Sequence, residues 1–107
     1  MIPYDEIYKG RFIWNQQKNE TNKQKHAVSF ECASEVFNKP FAVEEYDSDN
    51  SEYEDRYKII GYIDGLSHIT VAFKLRDNLI RIFSARGSNP EEEEAYNENV
   101  RRHIGTR

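Results

Sequence analysis

The chain has 107 residues, a length that predicts one domain, residues 1–107, able to bury a core without staples. Its single cysteine, Cys32, excludes an intramolecular disulfide and a cysteine-based zinc site and fits a reducing cytosol. No apolar run approaches the roughly 18 residues of a membrane span, no secretory leader is visible, and the net charge of −4 weighs only mildly against a nucleic-acid partner.

In chain order, "RFIWN" alternates aromatic and aliphatic residues and predicts a short strand over 11–14. Asn15 is placed to cap a helix through the polar run "QQKNETNKQKH". That helix has almost no apolar face, so it must lie on the surface or turn its polar side towards something. Residues 9–26 carry Lys9, Arg11, Lys18, Lys23 and Lys25 against Glu20 alone, a local +4. Ser29 is a second N-cap, followed by Phe30, Ala33, Val36 and Phe37 at helical spacing, and Pro40 ends this helix. Cys32 falls on it and reads as a small buried hydrophobe.

"FAVEEYD" predicts a strand. Residues 44–55 hold seven carboxylates and no base, a local −7, so the rest of the chain sums to +3. "RYKIIGYI" is the next strand, with Asp64-Gly65 as a two-residue hairpin turn. "LSHITVAFKL" follows, with Ile69, Val71, Phe73 and Leu75 on one face and His68, Thr70 and Lys74 on the other. Asp77-Asn78 turns the chain into "LIRIFSAR", completing a three-stranded meander. Asn89 caps a last helix, with Pro90 at its first position and Glu92 placed to close a capping box. Glu91 to Glu94 suit the positive end of its dipole. The order β-α-α-β-β-β-β-α predicts an α+β protein: an antiparallel sheet with the helices gathered on one side.

Two blocks of residues resemble the BrnT toxins of type II toxin–antitoxin systems. The first holds Phe12, Trp14, Lys18, Asn22, Lys25-His26 and Val28-Ser29-Phe30-Glu31, with Ala33, Val36 and Phe37. The second holds Glu54-Asp55-Arg56-Tyr57, Ile60-Gly61, Arg81 to Arg86 and Tyr96. The chain departs from the family pattern at Asn15, Ala27 and Cys32, and in the acidic "EEEEAYNEN" of the last helix. The resemblance implies a RelE-like fold and a cytoplasmic ribonuclease that cuts RNA without metal or other cofactor and inhibits translation. It implies a BrnA-type partner, a ribbon-helix-helix antitoxin through which alone the toxin reaches DNA. Assembly is left open between a toxin homodimer and a heterotetramer with the antitoxin. A second reading, of another class, keeps the fold and the antitoxin but not the activity: a silenced toxin acting in operon autoregulation.

Metal-free RNA cleavage needs a base for the ribose 2′-hydroxyl, cations for the phosphate, and an acid for the leaving 5′-oxygen. Histidines titrate near neutrality and serve as base or acid. Arginine presents a planar fork to phosphate oxygens. The candidate catalytic residues are therefore Lys25, His26, Arg56, Arg81 and Arg86, with Lys18, Ser84 and Tyr96 as substrate-binding residues. Each has a plainer reading beside it. Lys25 and His26 are favoured at a helix C-terminus without any RNA. Either last-strand arginine is an equally good partner for a carboxylate such as Glu54 or Asp55. On a regular strand, Arg81 and Arg86, five apart, point to opposite faces. Tyr96 suits burial against the sheet as well as stacking on a base. No cluster of His, Asp and Glu has metal-ligand spacing.

Overall fold

The computed structural model describes residues 5–104. Six strands form one mixed sheet: β1 (Glu6–Lys9), β2 (Phe12–Asn15), β3 (Val43–Tyr46), β4 (Tyr57–Ile63), β5 (Ser67–Arg76) and β6 (Leu79–Gly87). Three helices accompany it: α1 (Gln16–His26), α2 (Phe30–Ala33) and α3 (Pro90–Ile104). The sheet order is β1-β2-β6-β5-β4-β3.

Two expectations are corrected. A strand, β1, precedes the first predicted one and pairs with it as a hairpin through Gly10, whose φ is +61°. The sheet is also not wholly antiparallel: β2 runs parallel to β6 through Phe12↔Ile80 and Ile13↔Arg81. Parallel neighbours need a crossover between them, and here everything from α1 to β5 supplies it. The α+β class stands.

The meander β4-β5-β6 is as predicted, with two refinements. Asp77 and Asn78 both have positive φ, +51° and +69°, as a two-residue turn between Arg76 and Leu79 requires. The turn at Asp64-Gly65 instead takes three residues, because Ile63 pairs with Ser67 and the Leu66 N–H closes back on the Ile63 carbonyl at 2.9 Å.

One face of the sheet carries the main core. Ile59, Ile63, Ile69, Val71, Phe73, Ile82 and Ala85 pack there against Trp14, Val28, Phe30, Ala33 and Val36. The second predicted helix is shorter than its stripe: α2 makes one turn, and residues Ser34–Asn38 continue as a tighter 3-10 turn. Phe30, Ala33 and Val36 are three apart, the spacing that a 3-10 segment keeps on one face. Val36 seats on Gly61, where an added Cβ would lie 2.7 Å from Val36 Cγ1. That contact requires glycine on β4.

The opposite face is covered as well, so the helices are not gathered on one side. Lys58, Thr70 and Arg86 alternate with core-facing residues and all reach Glu92 of α3. Further along α3, Tyr96 meets His68 at 5.1 Å between ring centroids, and Asn99 donates to the Phe41 carbonyl.

β6 is not regular. Ala72 pairs with Ser84 and Phe73 with Ile82, so Phe83 is an inserted residue without a partner on β5. The bulge resets the alternation. Arg81 pairs with Lys74 and Arg86 with Thr70, and Lys74 and Thr70 share one face of β5. The two arginines therefore stand on the same face, not on opposite faces.

Candidate functional site

Helix α1 explains itself once its contacts are seen. Its buried residues are Asn19 and Asn22, 1% and 6% exposed, and not one of them is apolar. Asn22 treats β6 as a strand would: its amide donates to the Ala85 carbonyl at 2.8 Å and its oxygen accepts from the Ala85 N–H at 3.2 Å. The same amide donates to the Val28 carbonyl at 2.9 Å. Asn19 accepts from the Phe30 N–H at 2.8 Å and donates to Glu31. Side-chain amides thus dock a polar helix on the sheet edge beyond the end of β2. Buried polar groups are tolerated when paired in this way.

The helix ends match their residues. Asn15 caps the start by accepting from the Lys18 N–H at 2.9 Å. Ala27 closes the other end in the left-handed conformation, φ +61°, its N–H returning to the Lys23 carbonyl. A non-glycine residue is strained there.

This docking opens a cleft of about 440 Å³ between α1 and β6. Lys18, Thr21, Asn22 and Lys25 line it from successive turns of the helix, with His26 at the helix end. Phe83 and Ser84, the bulge of β6, form the floor. Asn15 and Gln17 complete the lining, which contains no carboxylate. Four of the residues singled out in the sequence, Lys18, Lys25, His26 and Ser84, therefore meet in one place. Lys25 and His26 are solvent-exposed and free to address a ligand.

The other four lie around or away from it. Arg56 is the nearest: its guanidinium lies 4.0 Å from the Phe83 ring centroid, while Nε and Nη2 bond one Glu54 oxygen at 3.0 and 2.8 Å. Lys74 bonds the other Glu54 oxygen at 2.6 Å. Hydrogen bonds from Lys74 and then Arg56 hold the Glu54 carboxyl below its ordinary range. Arg86 lines a second, strongly polar cavity of about 290 Å³ that shares Ser84 with the cleft and also holds Asp47, Asp49 and Glu92. Arg81 is tied to Glu6 of β1. Tyr96 packs on His68, which in turn meets Tyr62, and does not line the cleft.

Glu92 is the residue whose importance the sequence understated. It closes the predicted capping box, accepting from the Asn89 N–H while Asn89 accepts from its own. It is also 3% exposed and grips both forks of Arg86 at 2.8 and 2.9 Å, Lys58 at 2.9 Å and Thr70 at 2.9 Å. Burial pushes its carboxyl up, but the bonds from Arg86, the Asn89 backbone, Lys58 and Thr70 outweigh that and hold it far below the usual carboxylate range. The same bond raises Arg86 and Lys58. The arginine's fork is thus already spent on a carboxylate.

A carboxyl depressed on folding contributes stability above its unfolded value, about 4.3, and loses it as pH falls below that value. Glu92→Gln is expected to lower stability at neutral pH by about 2 kcal/mol, less than a fully buried pair because Arg86 stays 38% exposed. Urea midpoints at about pH 7 and pH 3.5 check it: the wild type drops steeply on acidification, and the variant drops less. Equal drops would remove Glu92 as the acid-sensitive anchor.

The cleft thus brings two lysines and a histidine, with no carboxylate in the lining, to a helix end and a bulged strand of an α+β sheet. Over residues 14–92 the chain matches the family described as "ribonuclease toxin, BrnT, of type II toxin-antitoxin system". The chain belongs to that BrnT family, and membership brings with it an antitoxin partner. No curated protein matches the chain. Among the described residues no helix is long and apolar enough to cross a membrane.

Proposed function

We propose that the α1–β6 cleft is an endoribonuclease site that cuts RNA without a metal ion. The observation that carries this reading is the convergence of Lys18, Lys25, His26 and Ser84 on one cleft whose lining offers amines, an imidazole, amides and hydroxyls. Such groups suit a phosphate and its proton transfers; they are poor ligands for hard cations, which take oxygen ligands rich in carboxylate.

In the reaction, the 2′-oxygen attacks phosphorus and the P–O5′ bond breaks. Its products are a 2′,3′-cyclic phosphate and a 5′-hydroxyl. His26 moves a proton, from the 2′-hydroxyl or to the 5′-oxygen. Lys25 and Lys18 stabilise the charge that grows on the phosphate, and Ser84 orients it. Arg56 adds positive potential beside Phe83. Arg86 and Arg81 act chiefly as framework, because Glu92 and Glu6 occupy them; Tyr96 belongs with them. This reading takes the fold as RelE-like, residues 1–107 as one toxin domain in the cytoplasm, and the partner as a BrnA-type ribbon-helix-helix antitoxin that covers the basic cleft.

The test uses the purified toxin, free of antitoxin, with single-stranded RNA in excess EDTA. Cleavage to cyclic-phosphate ends is expected, and an all-2′-deoxy strand should stay intact. Loss of cleavage in EDTA, or 5′-phosphate products, would replace this chemistry with metal-assisted hydrolysis.

A further inference from the structure

We infer that Phe83 is a stacking platform for one unpaired base of the substrate, and that it makes the enzyme selective for single-stranded RNA. The inference rests on the reading of the cleft as an RNA site and deepens it.

The bulge is what places this ring. A regular β6 would send residue 83 to the face opposite its neighbour Ser84; the inserted residue puts both on the cleft floor. There Phe83 is half-buried on the face away from the main core. Every other phenylalanine has a ring partner: Phe12, Phe37 and Phe73 meet edge-on in one series, Phe30 meets Trp14, and Phe41 meets His103 of α3. Phe83 has no ring partner among the described residues. It meets cations instead, the Arg56 guanidinium 4.0 Å and the Lys18 ammonium 5.8 Å from its centroid.

The two cations are not equivalent. Arg56 is held in place by Glu54, does not line the cleft, and lies over one face of the ring. Lys18 lines the cleft and stands too far from the ring for close contact. Its flexible stem can swing from the ring to a phosphate. A base entering the cleft then stacks on the face that Arg56 leaves open, on a ring polarised by that arginine. Aromatic rings flanked by cations are how proteins hold unpaired bases. A duplex, whose bases are already stacked and paired, has none to offer.

The experiment uses a single-stranded 2′-O-methyl oligoribonucleotide, whose 2′-oxygen cannot attack, and the same strand with abasic positions. Wild type should bind the base-bearing strand roughly tenfold more tightly than the abasic one. Phe83→Leu should erase that ratio while leaving the salt dependence of binding unchanged, and Phe83→Tyr should keep it. In the wild type itself, 2-aminopurine in the strand should be quenched on binding, a readout that does not depend on the variants folding. Salt-dependent binding with no preference for bases, and no quenching, would overturn the stacking inference and leave the cleft as a phosphate site. Failure to bind either strand would overturn both.

Discussion

His26→Ala will slow RNA cleavage by about 10²- to 10⁴-fold while leaving RNA affinity and folding nearly unchanged. The magnitude is that of losing a positioned proton-transfer group. The selectivity follows from the residue's place. His26 is the last residue of α1, exposed, and lines the cleft with Lys25. It packs against nothing in the core, so its removal costs only what a polar side chain contributes at a helix C-terminus, at most about 1 kcal/mol. Single-turnover rates at saturating toxin, with Kd measured on the 2′-O-methyl strand, separate the two effects. An unchanged rate returns His26 to the role of a helix cap. Lys25→Ala, by contrast, should weaken binding and flatten its salt dependence, because an ammonium acts on phosphate as a charge.

Asn22→Ala will destabilise the fold by about 3 kcal/mol and dissolve the site with it. Three hydrogen bonds leave at once, and they leave the Ala85 N–H, the Ala85 carbonyl and the Val28 carbonyl without their partner. An orphaned buried group costs about 1–3 kcal/mol, and partial entry of water moderates the sum. Asn22→Asp is the informative second variant. A carboxylate still accepts from the Ala85 N–H but donates to neither carbonyl, so it should fail almost as badly despite its matching shape. Urea midpoints and amide exchange in α1 check both. If the alanine variant kept the wild-type midpoint, α1 would be held by something other than its asparagines. Because α1 has no apolar side to fall back on, loosening it also disperses Lys18, Lys25 and His26.

The sequence made the meander, the three caps at Asn15, Ser29 and Asn89, and the α2 stripe legible, because each rests on local chemistry. What lay beyond reach was non-local. β1 is four residues long and takes its strand form from β2. The parallel β2–β6 pair is decided by a contact between strands far apart in the chain, residues 12–15 and 79–87. The polarity of α1 was visible, but not that two asparagines would replace a hydrophobic face; an Asn side chain that mimics a strand edge has no periodic signature. The candidate cleft was legible in part. Lys25, His26, Lys18 and Ser84 line it together, whereas Arg81 and Arg86 were misjudged by geometry. Strict alternation placed Arg81 and Arg86 on opposite faces, and the bulge at Phe83 brought them to one. Their partners are Glu6 and Glu92, distant in sequence or on another element, and not Glu54 or Asp55. Glu92 was readable as a capping residue, but nothing local told that its carboxylate would also be the hub of a buried cluster.

The acidic segment also finds a place. Glu54 pairs with both Arg56 and Lys74 and offsets one of their two charges, and Asp47 and Asp49 line the neighbouring cavity. These carboxylates temper the basic surface and give the silenced-toxin alternative its main physical support. One measurement separates the two: induced expression of the wild type and of His26→Ala, without antitoxin, followed by growth and total RNA integrity. Growth arrest with RNA degradation by the wild type, and neither with an equally abundant, folded His26→Ala, is the predicted result. A wild type that is folded, abundant and harmless to both growth and RNA would contradict it, leaving a toxin fold that still meets its antitoxin but cuts nothing.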